Sequence, residues 1–151
     1  MEEGTGIERV WKDQISSWED IPDTVAIRKT VFVNECKWTP DTELDYDDFK
    51  SPHLILYLDK KAVGTARLIY KEGKFYYSRI AVLKELRGKG LGKILIDELE
   101  KRAKSEGAKE VYLEAQVSAL GFYEKLGFKS YGDVYVVDAI DHKMMKKDLN
   151  K

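Results

Sequence analysis

The chain has 151 residues, 43% of them hydrophobic and 35% charged, with a formal net charge of −1. That length and balance fit one domain with its own core, residues 1–151, and give no bulk attraction to nucleic acid or to a membrane surface. The single cysteine, Cys36, excludes an internal disulfide and fits a reducing cytoplasm; no run is long enough to span a membrane, the acidic start Met1-Glu2-Glu3-Gly4 lacks the apolar region of a signal peptide, and two histidines give no metal-ligand spacing.

Residues 7–12 read as a first strand. Asp20 and Pro22 mark a helix start, and Val25, Arg28, Val31, Phe32 and Glu35 follow at helical spacing, which predicts a helix to about Asn34. Residues 36–49 are polar and acidic, carrying Asp41, Glu43, Asp45, Asp47 and Asp48 with Trp38, Leu44 and Tyr46 between them. Residue type alone favours a solvated loop there, with part of a substrate site as the alternative. Three strands joined by short turns follow at 53–58, 62–70 and 75–82, an antiparallel meander.

The third strand leads into the stretch that organises the chain. It ends Ser78-Arg79-Ile80-Ala81-Val82, passes through a short basic loop to Arg87, and continues as Gly88-Lys89-Gly90-Leu91-Gly92-Lys93. Leu91, Leu95, Leu99 and Ala103 then recur every fourth residue, with Ile94 beside them, on one face of a helix that Gly107 ends. Glycines at a helix start let the backbone approach a ligand closely. The first N–H groups of the helix lack intrahelical partners, and the helix dipole favours negative charge there. Arg87, Lys89 and Lys93 add three cations, so the stretch reads as a phosphate or pyrophosphate site. Spacing excludes two commoner phosphate loops. A Walker loop needs Gly at Arg87 and Ser or Thr at Ile94. A dinucleotide fingerprint needs a small residue where Lys93 or Leu95 stands.

Residues 109–116 form a strand with Val111, Leu113 and Ala115 on one face, parallel to the strand before the helix because a crossover helix separates the two. Ser118 is placed to cap a short helix that Gly127 ends, a strand begins at Phe128, and residues 142–149 form a last strand with a basic end. Its lysines lack the stacking aromatics of a single-strand nucleic-acid surface.

Arg87-x-x-Gly90-x-Gly92 after a strand ending Ile80-Ala81-Val82 resembles the coenzyme A loop of the GNAT acyltransferase superfamily. A strand and a helix later, Phe122-Tyr123-Glu124-Lys125-Leu126-Gly127-Phe128 resembles a second GNAT signature. Val31-Phe32-Val33-x-Glu35, Glu43-x-Asp45-x-Asp47, Val63-Gly64-Thr65-Ala66-Arg67-Leu68 and Ala115-Gln116 are similar to the ElaA-type subgroup, which usually has Gln where this chain has Cys36. The resemblance covers nearly everything after Thr24.

It implies an α/β (α+β) fold: a mixed, mostly antiparallel sheet flanked by helices, with a V-shaped splay between two parallel central strands. It implies acetyl-CoA as co-substrate, no metal, and a small-molecule amine as acceptor. Backbone groups of Ile80, Ala81 and Val82 would meet the pantetheine and acetyl carbonyl, and N–H groups from Arg87 through Gly88, Lys89, Gly90, Leu91 and Gly92 to Lys93 the pyrophosphate. Tyr123 would be the general acid for the leaving thiolate. Glu43, Asp45, Asp47, Gln116 and His142 are candidates for the acceptor side. The general base stays open among Glu35, Glu43, Asp45, Asp47, Glu114, His142 and water. Cys36 reads first as a small buried hydrophobe. A non-catalytic acyl-CoA-binding module and, against the net charge, a nucleic-acid-binding domain are the competing readings. A homodimer is left open.

Overall fold

The computed structural model describes residues 6–150; the acidic start lies outside them. In chain order come β1 (Ile7–Lys12), α1 (Pro22–Arg28), a short α2 (Pro40–Glu43), β2 (His53–Leu58), β3 (Lys61–Lys71), β4 (Lys74–Val82), α3 (Leu91–Ser105), β5 (Glu110–Gln116), α4 (Leu120–Lys125), β6 (Lys129–Val137) and β7 (Ile140–Asp148). The strands form one sheet in the order β1-β2-β3-β4-β5-β7-β6. Only β4 and β5 pair in parallel; the other neighbours are antiparallel. This is the mixed sheet that the resemblance implied.

Helix α3 packs on one face of the sheet. Leu91, Leu95, Leu99 and Ala103 are buried against Leu54, Leu56, Val63, Leu68, Leu113 and Met145. Full burial of each such Leu contributes about 1.5–3 kcal/mol, which holds the helix and its N-terminus in place. Gly107 ends α3 at φ +93°, with the Ala108 N–H donating to the Ala103 carbonyl at 2.9 Å. Helix α1 lies on the opposite face, where Thr24 shares a buried hydroxyl contact with Thr65 at 3.1 Å.

Three expectations are corrected. The helix expected to reach Asn34 is α-helical only to Arg28, and Lys29–Glu35 is a π-helix. Thr30, Val31, Phe32 and Val33 are β-branched or aromatic, types that crowd an α-helical turn. The wider turn is closed by the Cys36 N–H on the Val31 carbonyl, 2.9 Å away. Ser118 does not cap α4; Ala119 stands at that position, without a side-chain cap. The acidic stretch 36–49 is not a solvated loop. Glu43 and Asp48 are buried, and Asp48 accepts from Arg28 at 2.8 Å, Arg67 at 2.7 Å and the Trp18 indole at 2.9 Å. Glu43 accepts from Arg28 at 2.7 Å. Residue type revealed the carboxylates, but their partners come from α1, β3 and β4. Among the described residues no helix is long and apolar enough to cross a membrane.

Candidate active site

The site begins where β4 and β5 part. Their parallel register covers only Phe75–Tyr77 against Val111–Leu113. Beyond it β4 continues to Val82 and β5 to Gln116 without pairing to each other, which leaves a V-shaped gap. A cleft of about 600 Å³ occupies this gap. Unpaired strand backbone at the edge of a gap offers N–H and C=O groups to a ligand.

A bulge in β4 shapes one wall. Thr65 pairs with Ala81 and Arg67 with Ser78, so Arg79 and Ile80 together oppose Ala66. Arg79 sits at φ +53°, a left-handed conformation that is uncommon for a residue with a Cβ. Its side chain is anchored to compensate: the guanidinium donates to the Glu43 carbonyl at 2.9 Å and to Asp45 at 3.2 Å, and lies 5.2 Å from the centre of the Trp38 ring. The acidic stretch thus acts from behind the strand, holding the bulge. Arg28, Arg67 and Arg79 face Glu43, Asp45 and Asp48, so the charges of this cluster balance.

The glycine-rich loop closes one end of the cleft. Gly90 stands at the N-cap of α3 with φ +86°, and the first helical bond, from the Ile94 N–H to the Gly90 carbonyl, measures 3.2 Å. The N–H groups before it are left for a ligand. A Cβ built at Gly88 or Gly90 meets nothing within 4 Å, so these positions border open space that a phosphate can fill. Gly92 has another cause: its Cβ would lie 2.9 Å from the tip of the Phe122 ring. That glycine lets α4 pack on the first turn of α3.

The three expected cations are not equally available. Arg87 donates to both oxygens of Glu35, one bond measuring 2.8 Å, and its Nε donates to the Val82 carbonyl at 3.0 Å. The Arg87 bonds hold Glu35 below the usual carboxylate range. Lys93 pairs with Asp97 at 2.8 Å on the helix surface. Lys89 has no ion pair among the described residues.

The expected site residues divide into two groups. Ile80, Ala81, Val82, Arg87, Gly88, Gly90, Leu91, Gly92, Gln116, Tyr123 and His142 border the cleft, as do Glu35 and Glu114. Lys89, Lys93, Glu43, Asp45 and Asp47 do not. Glu43 and Asp45 are committed to arginines, and Asp47 pairs with Lys71 at 3.3 Å at the surface. The sequence reading also passed over wall residues. Val31, Phe32, Cys36 and Trp38 border the cleft: the π-helix carries Val31 and Phe32, Cys36 follows at its C-terminal end, and the Trp38 N–H donates to the Phe32 carbonyl at 2.8 Å, with the two rings stacked at 4.7 Å. Trp38 in an otherwise acidic stretch was the one available sign. Cys36 is half-buried rather than buried, and Gln116 Nε2 lies 3.9 Å from its sulfur.

Tyr123 is half-buried at the start of the gap, ringed edge-on by Phe122 and Phe128. Burial pushes its hydroxyl up to about 12, so it is a neutral phenol with a proton to give throughout the neutral range. His142 lies opposite Gln116 in the β5–β7 register. Its Nδ1 is 2.8 Å from the Ile140 carbonyl, and its ring stacks on Tyr135 at 6.2 Å. Tyr135 in turn donates to Glu114 at 2.7 Å. An anion-receiving helix start, an open strand edge and a neutral phenol in one cleft suit a phosphate-bearing thioester whose sulfur leaves near the phenol. Among the described residues no group of three or more side chains is placed to hold a metal ion.

Known proteins share sequence and fold with this chain. The family model described as an acetyltransferase (GNAT) domain matches residues 39–149. The uncharacterized N-acetyltransferase YjcF of Bacillus subtilis (strain 168) is 37% identical over 131 residues, 86% of this chain and 94% of that protein. Among solved structures, an acyl-CoA N-acyltransferase from Pseudomonas aeruginosa superposes with a TM-score of 0.83 at 27% identity, covering 93% of this chain and 99% of that one. Escherichia coli ElaA superposes with a TM-score of 0.79, also at 27% identity, over 93% of this chain and 100% of its own.

Proposed function

We infer the function from one premise: the chain belongs to the GNAT acetyltransferase family. On that premise we propose that it transfers an acetyl group from acetyl-CoA to the primary amine of a small molecule, by direct attack while both are bound. The observation that carries this reading is the cleft between β4 and β5, bordered by the Gly88–Gly90 turn and by Tyr123. The N–H groups at the start of α3 receive the pyrophosphate, aided by Lys89. Backbone groups of Ile80, Ala81 and Val82 along the opened edge receive the pantetheine and the thioester carbonyl; the Val82 carbonyl is already occupied by Arg87.

Oxyanion charge forms on that carbonyl as the amine attacks, and N–H donors fixed by the β4 bulge stabilise it. A single donor of this kind contributes about 2.7–4 kcal/mol to a transition state. Tyr123 then gives its proton to the departing sulfur. Gln116, with His142 beside it, borders the acceptor side. The lone Cys36 is in keeping with a reducing cytoplasm, and nothing in the site calls for nucleic acid or a membrane.

The test is to incubate the protein with acetyl-CoA and a panel of primary amines and to follow free thiol. Amine-dependent thiol release with formation of the amide is the expected result. Tight acetyl-CoA binding without thiol release for any amine would replace the enzyme by an acyl-CoA-binding module.

A further inference from the structure

Direct transfer, the reading proposed above, needs a group that takes a proton from the attacking nitrogen. Among the carboxylates considered, each has a prior commitment. Glu35 is held by the two terminal guanidinium nitrogens of Arg87. Glu43 and Asp45 serve arginines, Asp47 serves Lys71, and Glu114 is exposed and accepts from Tyr135.

His142 differs. It is only 2% exposed, yet it borders the cleft. Its Nδ1 contacts the Ile140 carbonyl at 2.8 Å. A carbonyl oxygen can only accept, so Nδ1 carries the proton, and in the neutral ring Nε2 presents a lone pair. Nε2 has no hydrogen bond among the described residues and is not one of the sealed polar atoms, and the residue lines the cleft. Tyr135, held by Glu114, stands opposite His142 in the β6–β7 register with the two rings near parallel, 24° apart, and their centres 6.2 Å apart. The opposing Gln116, on the adjoining strand, puts the imidazole at the acceptor side of the splay.

We propose that His142 is the general base of the transfer, acting through Nε2 with its tautomer fixed by the Ile140 carbonyl. The steps balance. The neutral amine nitrogen bonds to the thioester carbon, Nε2 takes one proton from that nitrogen, and the carbon–sulfur bond breaks. Tyr123 gives one proton to the sulfur. Solvent then removes the proton from His142 and restores one to Tyr123, so the net products are the amide and the free thiol.

The chain has two histidines, and they make an internal control. His53 is bonded the opposite way, with Nε2 on the Asp48 carbonyl at 2.9 Å and Nδ1 sealed without a partner. Long-range proton–nitrogen spectra of the labelled wild type in alkaline solution should therefore show one ring protonated on Nδ1 and one on Nε2. Two rings protonated on Nε2 would overturn the proposal without reference to any substrate. His142→Asn keeps an amide N–H for the Ile140 carbonyl but removes the basic atom. With an amine that the wild type acetylates, kcat should fall about 10²–10⁴-fold while acetyl-CoA affinity stays within a few-fold. Added imidazole should restore part of the rate in His142→Ala. A kcat for His142→Asn within a few-fold of wild type sinks the base assignment and leaves the acetyltransferase reading intact. A wild type that releases no thiol with any amine ends both.

Discussion

Tyr123 owes its proton to its surroundings. The Phe122 and Phe128 rings pack edge-on against its ring, and burial pushes its hydroxyl up to about 12. A tyrosine in the unfolded chain ionises near about 10. Between these values the folded state holds the extra proton, so this residue's contribution to stability is complete below about pH 10 and is lost as pH rises towards 12. Tyr123→Phe keeps the ring packing and removes the proposed acid. Steady-state kinetics with a known acceptor should show kcat lower by about 10²–10⁴-fold, with acetyl-CoA affinity little changed. A variant as active as wild type would make the residue a packing aromatic. Tyr123 could be singled out in the sequence because its motif is contiguous. Arg79 could not: nothing in its type marks a left-handed residue, and its anchors Glu43 and Asp45 lie 34 or more residues upstream.

At the scale of elements, the start of α3 is the proposed cofactor end. Its apolar repeat was readable because each side chain meets the same sheet face, and period and burial then agree. Its glycines turn out to have separate causes. Gly90 needs its positive φ and faces open space, whereas Gly92 makes room for Phe122. Gly90→Val should therefore strain the N-cap and fill the phosphate space, weakening acetyl-CoA binding at least tenfold while the variant stays folded. Gly92→Ala should act through α4, changing binding only as far as the Phe122 ring shifts. Calorimetric titration of the two folded variants checks the contrast, and equal losses would contradict it. The π-helical Lys29–Glu35 escaped the sequence reading because its spacing of apolar residues is close to that of an α-helix; only the crowding of β-branched types hinted at a wider turn.

Across the whole molecule, the acidic stretch ties α1, β3 and β4 together from the side away from α3. Burial by itself would raise Asp48, but the Arg28 guanidinium, then Arg67 and the Trp18 indole, hold it well below the usual carboxylate range. A depressed carboxylate adds stability above its unfolded value of about 3.9, and that stability is lost as pH falls through and below it. Asp48→Asn leaves two buried guanidiniums short of charge and should cost about 3–5 kcal/mol in urea unfolding. Asp47→Asn removes only a surface pair, should cost less than about 1 kcal/mol, and should leave the KM for the amine unaltered. The density of carboxylates in the sequence could suggest a substrate site; only their buried arginine partners reveal a brace. The central claim concerns the cleft between β4 and β5, where the opened strands and the start of α3 form one site for acetyl-CoA. Isothermal titration of the wild-type protein with acetyl-CoA tests it most directly. The account predicts saturable binding of one molecule per chain, lost in Gly90→Val. No measurable binding to a folded wild type, or equal binding to the variant, would contradict it.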